Sequence, residues 1–166
     1  GRHLHVPIQA GDNTVLKRMR RKYTVEEYRE KIVKISEALP NLAITTDVIV
    51  GFPGETDDMF ENTYRLIEEL GFAELHVFPY SMRTGTPAAR MTDQVEGKVK
   101  QERVQRLIAL SEDLSLQYAS RFTNDVLEVI PEQPYKEDPD SGLYEGHSDN
   151  YLKLVFPANE QLVGKL

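Results

Sequence analysis

The sequence predicts an α/β fold built on a parallel sheet and followed by a small all-β module. Three observations predict it. The stretch Ile44–Thr56, ITTDVIVGFPGET, is a β-branched run that stops at a turn with two glycines and a proline. Such a run suits a strand covered on both faces, as parallel strands are. Strand-like and helix-like periods alternate from Leu4 to Tyr80 at βαβ spacing. Beyond one long helix the texture changes, near Ala119–Asn124, to short β-rich runs broken by prolines and polar turns.

Leu4–Ile8 reads as the first strand, and Gln9–Asp12 as a turn. Asn13 or Thr14 then caps a short helix reaching Arg20. Thr24 and Glu27 have capping-box spacing, and the helix they open carries Tyr28, Ile32, Ile35 and Leu39 on one face. Pro40 and Asn41 end it, and the strand to Val50 follows. Gly51 and Gly54 permit the bend, and the strand's carboxyl end should present exposed amides there. Thr56 caps the next helix, with Asp57 and Asp58 in its first turn and Phe60, Tyr64, Ile67 and Leu70 on its face. Gly71 stops that helix. Leu75–Tyr80 is a third strand, and Ser81–Pro87 a loop at its carboxyl end. Gly97–Phe122 is one long helix with an apolar stripe at Val104, Leu107, Ile108, Leu110, Leu114 and Tyr118. Val126–Ile130 is β-rich, Pro131–Gly142 a polar loop, and Leu143–Phe156 two short strands around a Ser-Asp-Asn turn. Gln161–Leu166 reads as a further strand cut short.

With 166 residues, 40% hydrophobic and 28% charged, the composition is that of a globular domain, with room for a small second one. No run approaches the roughly 20 apolar residues of a membrane span. No cysteine is present, which excludes disulfides, thiolate ligands and cysteine nucleophiles within this chain. The chain starts inside a strand, so a piece of a longer protein is expected. Net charge is −7, yet residues 1–40 carry +4, which leaves −11 for the rest. Lys17–Lys22, KRMRRK, places five cations in six positions, which suits either an anionic partner or a solvated helix end.

Several side chains are candidates for chemistry. His3 and His5 share one face of a strand, but no third metal ligand is evident, so ordinary packing is the better reading. Gln9, Arg21 and Arg83 lie just beyond strand ends, where arginine can grip a carboxylate or phosphate. Asp47 lies inside an apolar strand and needs a partner, structural or in a pocket. Tyr144, His147, Tyr151 and Lys153 could meet nucleic-acid bases and phosphates, or simply pack. The glycine turn is open to two readings, a ligand site or a tight strand-to-helix turn. P-loop, GxGxxG and Ser-His-Asp patterns are absent.

Four strings in order, LHVPIQAGDNTVLKRMRRKYT (4–24), TTDVIVGFPGET (45–56), FPYSMRTGTPAARM (78–91) and SDNYLKLVF (148–156), resemble the radical S-adenosylmethionine methylthiotransferases. Within that family they look like the tRNA enzymes that act on N6-threonylcarbamoyladenosine at position 37. The resemblance implies the carboxyl half of a partial (β/α)6 barrel over 1–118 and most of an RNA-binding β-barrel, TRAM, over 119–166. It implies S-adenosylmethionine and two [4Fe-4S] clusters in the parent protein. The CxxxCxxC cysteines have no counterpart here, so none of these is expected bound by this fragment, which should be inactive alone. tRNA is the implied partner, with no membrane, no stable protein partner and a cytoplasmic location. Carried over by motif, Gln9, Gly11, Arg21, Asp47, Gly51, Phe52, Gly54, Glu55 and Arg83 would bind cofactor. Lys17, Arg18, Arg20, Lys22, Asn150, Tyr151 and Lys153 would meet RNA. Ala10 departs from the family's usual serine, and Asp47 and the late Glu55 depart from the general GxIxGxxE form. Competing readings are methylthiolation of isopentenyladenosine or of a ribosomal-protein aspartate, a non-enzymatic RNA-binding module, and a metabolic (β/α) enzyme with a phosphate site at the glycine turn.

Overall fold

The computed structural model describes residues 1–165. Three parallel strands, β1 (His3–His5), β2 (Ala43–Val50) and β3 (Glu74–Pro79), form one sheet in that order. Helices α1 (Asn13–Arg18) and α2 (Val25–Ala38) join β1 to β2, α3 (Asp57–Leu70) joins β2 to β3, and α4 (Gly97–Ser120) returns along β3. A second sheet is antiparallel, β4 (Val129–Pro134), β5 (Leu143–Ser148) and β6 (Lys153–Pro157). Among the described residues it is an open three-stranded sheet. No helix among the described residues is long and apolar enough to cross a membrane.

Local chemistry accounts for the helix ends. The Thr24–Glu27 capping box forms in both directions at the start of α2. Thr56 accepts from the Met59 amide at the start of α3, and Gly71 closes α3 in the left-handed conformation. Asp12, rather than Asn13 or Thr14, is the N-cap of α1.

Five expectations change. The strand expected over Leu4–Ile8 pairs regularly only at His3–His5, because Pro7 has no N–H to continue the ladder. Side chains take over. Tyr28 Oη donates to Val6 O at 2.6 Å, Tyr23 Oη to Ile8 O at 2.6 Å, and the Ile8 N–H to Thr46 Oγ1 at 2.9 Å. Gln9 then rejoins β2 at Val48. The short helix ends at Arg18, and Arg20 adopts φ 59°. The long helix ends at Ser120, before Phe122. The β-rich run shifts: β4 begins at Val129, opposite Ser148, and extends through Pro134 into the expected loop, whereas Val126 is 99% exposed with no strand beside it. Prolines 131 and 134 are tolerated because β4 is an edge strand with a bulge between 131 and 133. In place of the last strand, Glu160–Leu162 form a 3-10 turn; Leu166 lies outside the described residues.

The parallel sheet has two unlike faces. Ile44, Val48 and Val50 point to the helices and join Phe60, Leu66, Ile67, Phe72, Leu107 and Leu110 in the main core. Thr45, Asp47 and Ile49 alternate to the opposite, open face. The free edge of β3 is covered by α4: Ser111 Oγ accepts from the Leu75 N–H, and Ser115 Oγ donates to Ala73 O. Those serines, one helical turn apart, blunt an edge that would otherwise pair with another chain.

Candidate functional site

The carboxyl ends of the three strands converge. Ile49 N–H donates to Gln9 O, Ile49 pairs with Phe78, and Tyr80 N–H donates to Val50 O. Gln9 holds φ 70°, an uncommon conformation for a side-chain-bearing residue. Around this mouth stand Ile49, the half-exposed Phe78, Tyr80 and, on the following loop, the exposed Arg83. The Tyr80 ring meets Phe52 edge-on at 5.2 Å, and its buried hydroxyl has no partner.

The glycine turn does not present the expected free amides. Gly51 N–H donates to Glu55 Oε1, Gly54 N–H to Asp93 O, and Glu55 N–H to Phe52 O. The turn is tied from within. Glu55 is buried, and Arg103 Nη1 donates to its Oε1 at 2.8 Å while Nη2 donates to Asp57 Oδ1 at 2.9 Å. Burial pushes the Glu55 carboxyl above its ordinary range, against the Gly51 amide and Arg103, which pull it down. The Glu55 carboxylate therefore faces inward and sets the shape of the turn.

Two of the quoted glycines answer to packing. A Cβ on Gly11 would come 2.7 Å from the Thr63 Cα, so α3 crosses too closely for any side chain. Gly54, at φ +86°, lies under the Arg18 guanidinium. Arg18 Nε donates to Pro53 O, and Nη2 to both oxygens of Asp93 at 2.8 and 2.6 Å. Arg18 is thus committed to the turn and not available as a free phosphate ligand, a correction to the basic cluster. Lys17, Arg20, Arg21 and Lys22 remain exposed, without an ion pair among the described residues.

Asp47 is partnered, but not at the mouth. On the open face His5 Nε2 lies 3.1 Å and His76 Nδ1 3.3 Å from its Oδ1. In the second sheet, Asn150 is fully buried: its Oδ1 accepts from Ser148 Oγ and its carbonyl from Tyr118 Oη at 2.7 Å. Direct contact of that side chain with RNA is therefore corrected to a turn-forming role. Tyr151, at φ 70°, stacks on His3 at 4.1 Å and lies near His147 at 5.8 Å. Burial and the Glu74 carboxylate push its hydroxyl up to about 12. Lys153 pairs with Glu145 at 3.3 Å and stays half-exposed. Sequence reasoning missed His76, Asp93 and Arg103. His76 alone left a signal, as its parity on β3 matches that of Asp47 on β2.

Residues 1–67 match the Radical SAM superfamily. The chain is 59% identical over 99% of its length to the threonylcarbamoyladenosine tRNA methylthiotransferase MtaB of Bacillus subtilis, covering 36% of that protein. It is 43% identical, again over 99%, to the tRNA-2-methylthio-N(6)-dimethylallyladenosine synthase of Bacillus subtilis, covering 32%. The chain thus spans about a third of the length of these relatives. In fold it is similar to the coproporphyrinogen III oxidase HemN of Escherichia coli, a radical SAM enzyme, with TM-score 0.57 and 23% identity over 68% of this chain and 27% of that one. It is also similar to Elp3 of Methanocaldococcus infernus, with TM-score 0.50 and 13% identity over 95% of this chain and 51% of that one. By sequence along its whole length, the chain is similar to about a third of these tRNA methylthiotransferases.

Proposed function

We propose that this chain supplies part of the cofactor mouth and the RNA-facing surface of an enzyme that adds a methylthio group to N6-threonylcarbamoyladenosine in tRNA. The observation that carries the reading is an identity gradient. Over 164 residues in each case, the chain is 59% identical to the threonylcarbamoyladenosine enzyme but 42–43% identical to dimethylallyladenosine synthases. In this reading residues 1–118 belong to the partial barrel and 119–166 to a TRAM-like module, in a cytoplasmic enzyme acting on tRNA.

The chain has no cysteine, so its own residues do not fit a [4Fe-4S] cluster and no step is assigned through one. S-adenosylmethionine fits better. The strand ends offer an apolar shelf at Ile49 and Phe78, and Arg83 for the methionyl carboxylate. When bound, S-adenosylmethionine supplies the radical chemistry of the superfamily. Glu55, Gly51, Gly54 and Arg18 act indirectly by holding the turn beside that shelf. Arg21 lies in the exposed cluster with Lys17, Arg20 and Lys22 and completes a cationic surface for phosphates. On the second sheet Lys153 and His147 remain half-exposed toward solvent.

The test places this chain in the corresponding third of the Bacillus subtilis enzyme and reconstitutes the chimera anaerobically with iron, sulfide and a reductant. Digested tRNA is then weighed by mass spectrometry. A methylthio mass on threonylcarbamoyladenosine, at least about tenfold lower with Arg83→Ala, supports the reading. Product only on dimethylallyladenosine overturns it in favour of the sister substrate. For tRNA binding, each of Lys17→Ala, Arg20→Ala and Lys22→Ala should flatten the salt dependence by about 0.7–0.9 in log–log slope per lost phosphate contact.

A further inference from the structure

The open face of the parallel sheet carries a cluster that neither the glycine turn nor the strand-end mouth uses. His5 on β1, Asp47 on β2 and His76 on β3 come from three adjacent strands. Asp47 and His76 are direct register partners, and His5 pairs with Thr45, two residues before Asp47 on the same face. One donor atom from each lies within 4.8 Å of the others.

We propose that His5, Asp47 and His76 form a three-ligand site for a borderline divalent cation, zinc above all, on the open face of the sheet. The ligand set, two imidazoles and one carboxylate, suits zinc and its first-row neighbours and not magnesium or calcium, which take oxygens. A tetrahedral ion with bonds of about 2.0–2.1 Å sets its donors about 3.3 Å apart. The Asp47 oxygen lies 3.1 Å from His5 Nε2 and 3.3 Å from His76 Nδ1, so two of the three edges already have that length.

The surroundings orient the ligands as metal sites require. His5 Nδ1 lies 2.7 Å from Thr45 Oγ1, which fixes the ring with Nε2 toward the carboxylate. Thr45 is itself fully buried and 2.9 Å from His3 Nε2, so the anchor is held on both sides. The three ligands keep side-chain exposures of 35%, 28% and 41%, leaving an entry path and a coordination position for water or another ligand. Asp47 is two residues before Ile49 and His76 two before Phe78, which at about 3.3 Å per residue puts the site roughly 7 Å below the apolar shelf, on the same face. The site therefore lies next to the proposed cofactor shelf but uses none of its residues.

The test titrates the metal-free, untagged chain with Zn2+ by calorimetry and with Co2+ by visible absorption. One equivalent should bind, with the intense d–d bands of a tetrahedral Co2+ ion. Losing an outer-shell partner typically weakens metal binding about 10–100-fold. Thr45→Val should fall in that range, and Asp47→Asn and His76→Gln should exceed it. His147→Gln, the histidine farthest from the cluster in sequence, should leave affinity unchanged. Asp47→Asn preserves shape, so it decides the matter should His76→Gln fail to fold. Absence of binding in a chain with a native circular-dichroism spectrum overturns the site and leaves an ion-paired triad. Binding that survives Asp47→Asn, or that vanishes in His147→Gln, overturns it too.

Discussion

The two sheets of this molecule are stabilised in opposite ways. The parallel sheet lies on a core of twenty buried apolar residues drawn from strands, helices and loops up to Leu114. The antiparallel sheet has almost no core of its own. The small cluster beside it holds Ala43, Ala73, Tyr118, Phe122 and Leu152, and only Leu152 comes from beyond residue 122. A groove of about 700 Å³ between β3, α4 and the second sheet confines their contact further. What joins them is polar and specific: Arg2 to Asp149 at 3.1 Å, Tyr118 Oη to Asn150 O, and the His3–Tyr151 stack. A three-stranded sheet with one solvated face gains order by docking, whereas a parallel sheet must be covered to exist.

Breaking the first region should cost most. Phe60 is 2% exposed, with the Arg103 and Arg106 guanidinium groups over its ring at 5.5 and 5.1 Å. Phe60→Ala should lower stability by about 3–5 kcal/mol in urea titrations, with both sheets lost together. Arg103→Met should cost about 3 kcal/mol at neutral pH, since it leaves the Glu55 carboxylate buried without its cation. The sign with pH follows from the Glu55 shift. A carboxyl whose folded pKa is raised contributes its stability fully below the ordinary value and loses it as pH rises through the folded one. Without Arg103 that rise is larger, so denaturation at pH about 4.5 and 7.5 should show the smaller defect in acid.

The contrast sharpens with gentler changes. Tyr118→Phe removes the donor to the Asn150 carbonyl and should cost about 1–3 kcal/mol. Hydrogen exchange should then quicken in β5 and β6 while β2 amides keep their protection; equal acceleration in both would show one cooperative unit. The smallest effect is in alkali. With Tyr151 pushed up to about 12 from 10.0, its contribution is intact below pH 10 and lost between pH 10 and 12. Ultraviolet titration should lose one late phenolate in Tyr151→Phe, while the other raised tyrosines, Tyr28 among them, remain.

Local signals in the sequence carried far. The capping box at Thr24–Glu27, the span of α3 from Asp57 to Leu70 with Thr56 and Gly71 at its ends, and the β5–β6 turn are short-range chemistry and formed as read. Misreadings arose where a side chain replaced backbone pairing, as Tyr23, Tyr28 and Thr46 do around Pro7. They arose again where an edge strand tolerated prolines that resemble a loop, at β4. At the candidate site, the motifs located the strand-end turn but not which of its polar groups were already engaged.

The sequence by itself determined the periodic elements, their caps and the likeness to the methylthiotransferases, because those depend on residues within one or two helical turns or on strings of matching letters. Only the tertiary structure decided that Arg18 answers Asp93 across 75 residues, that Glu55 is clamped by Arg103, and that Asp47 has imidazoles on both flanks. Such partners are chosen by sheet register and helix crossing, which put distant positions within 3 Å or so of one another, and no local pattern encodes that distance.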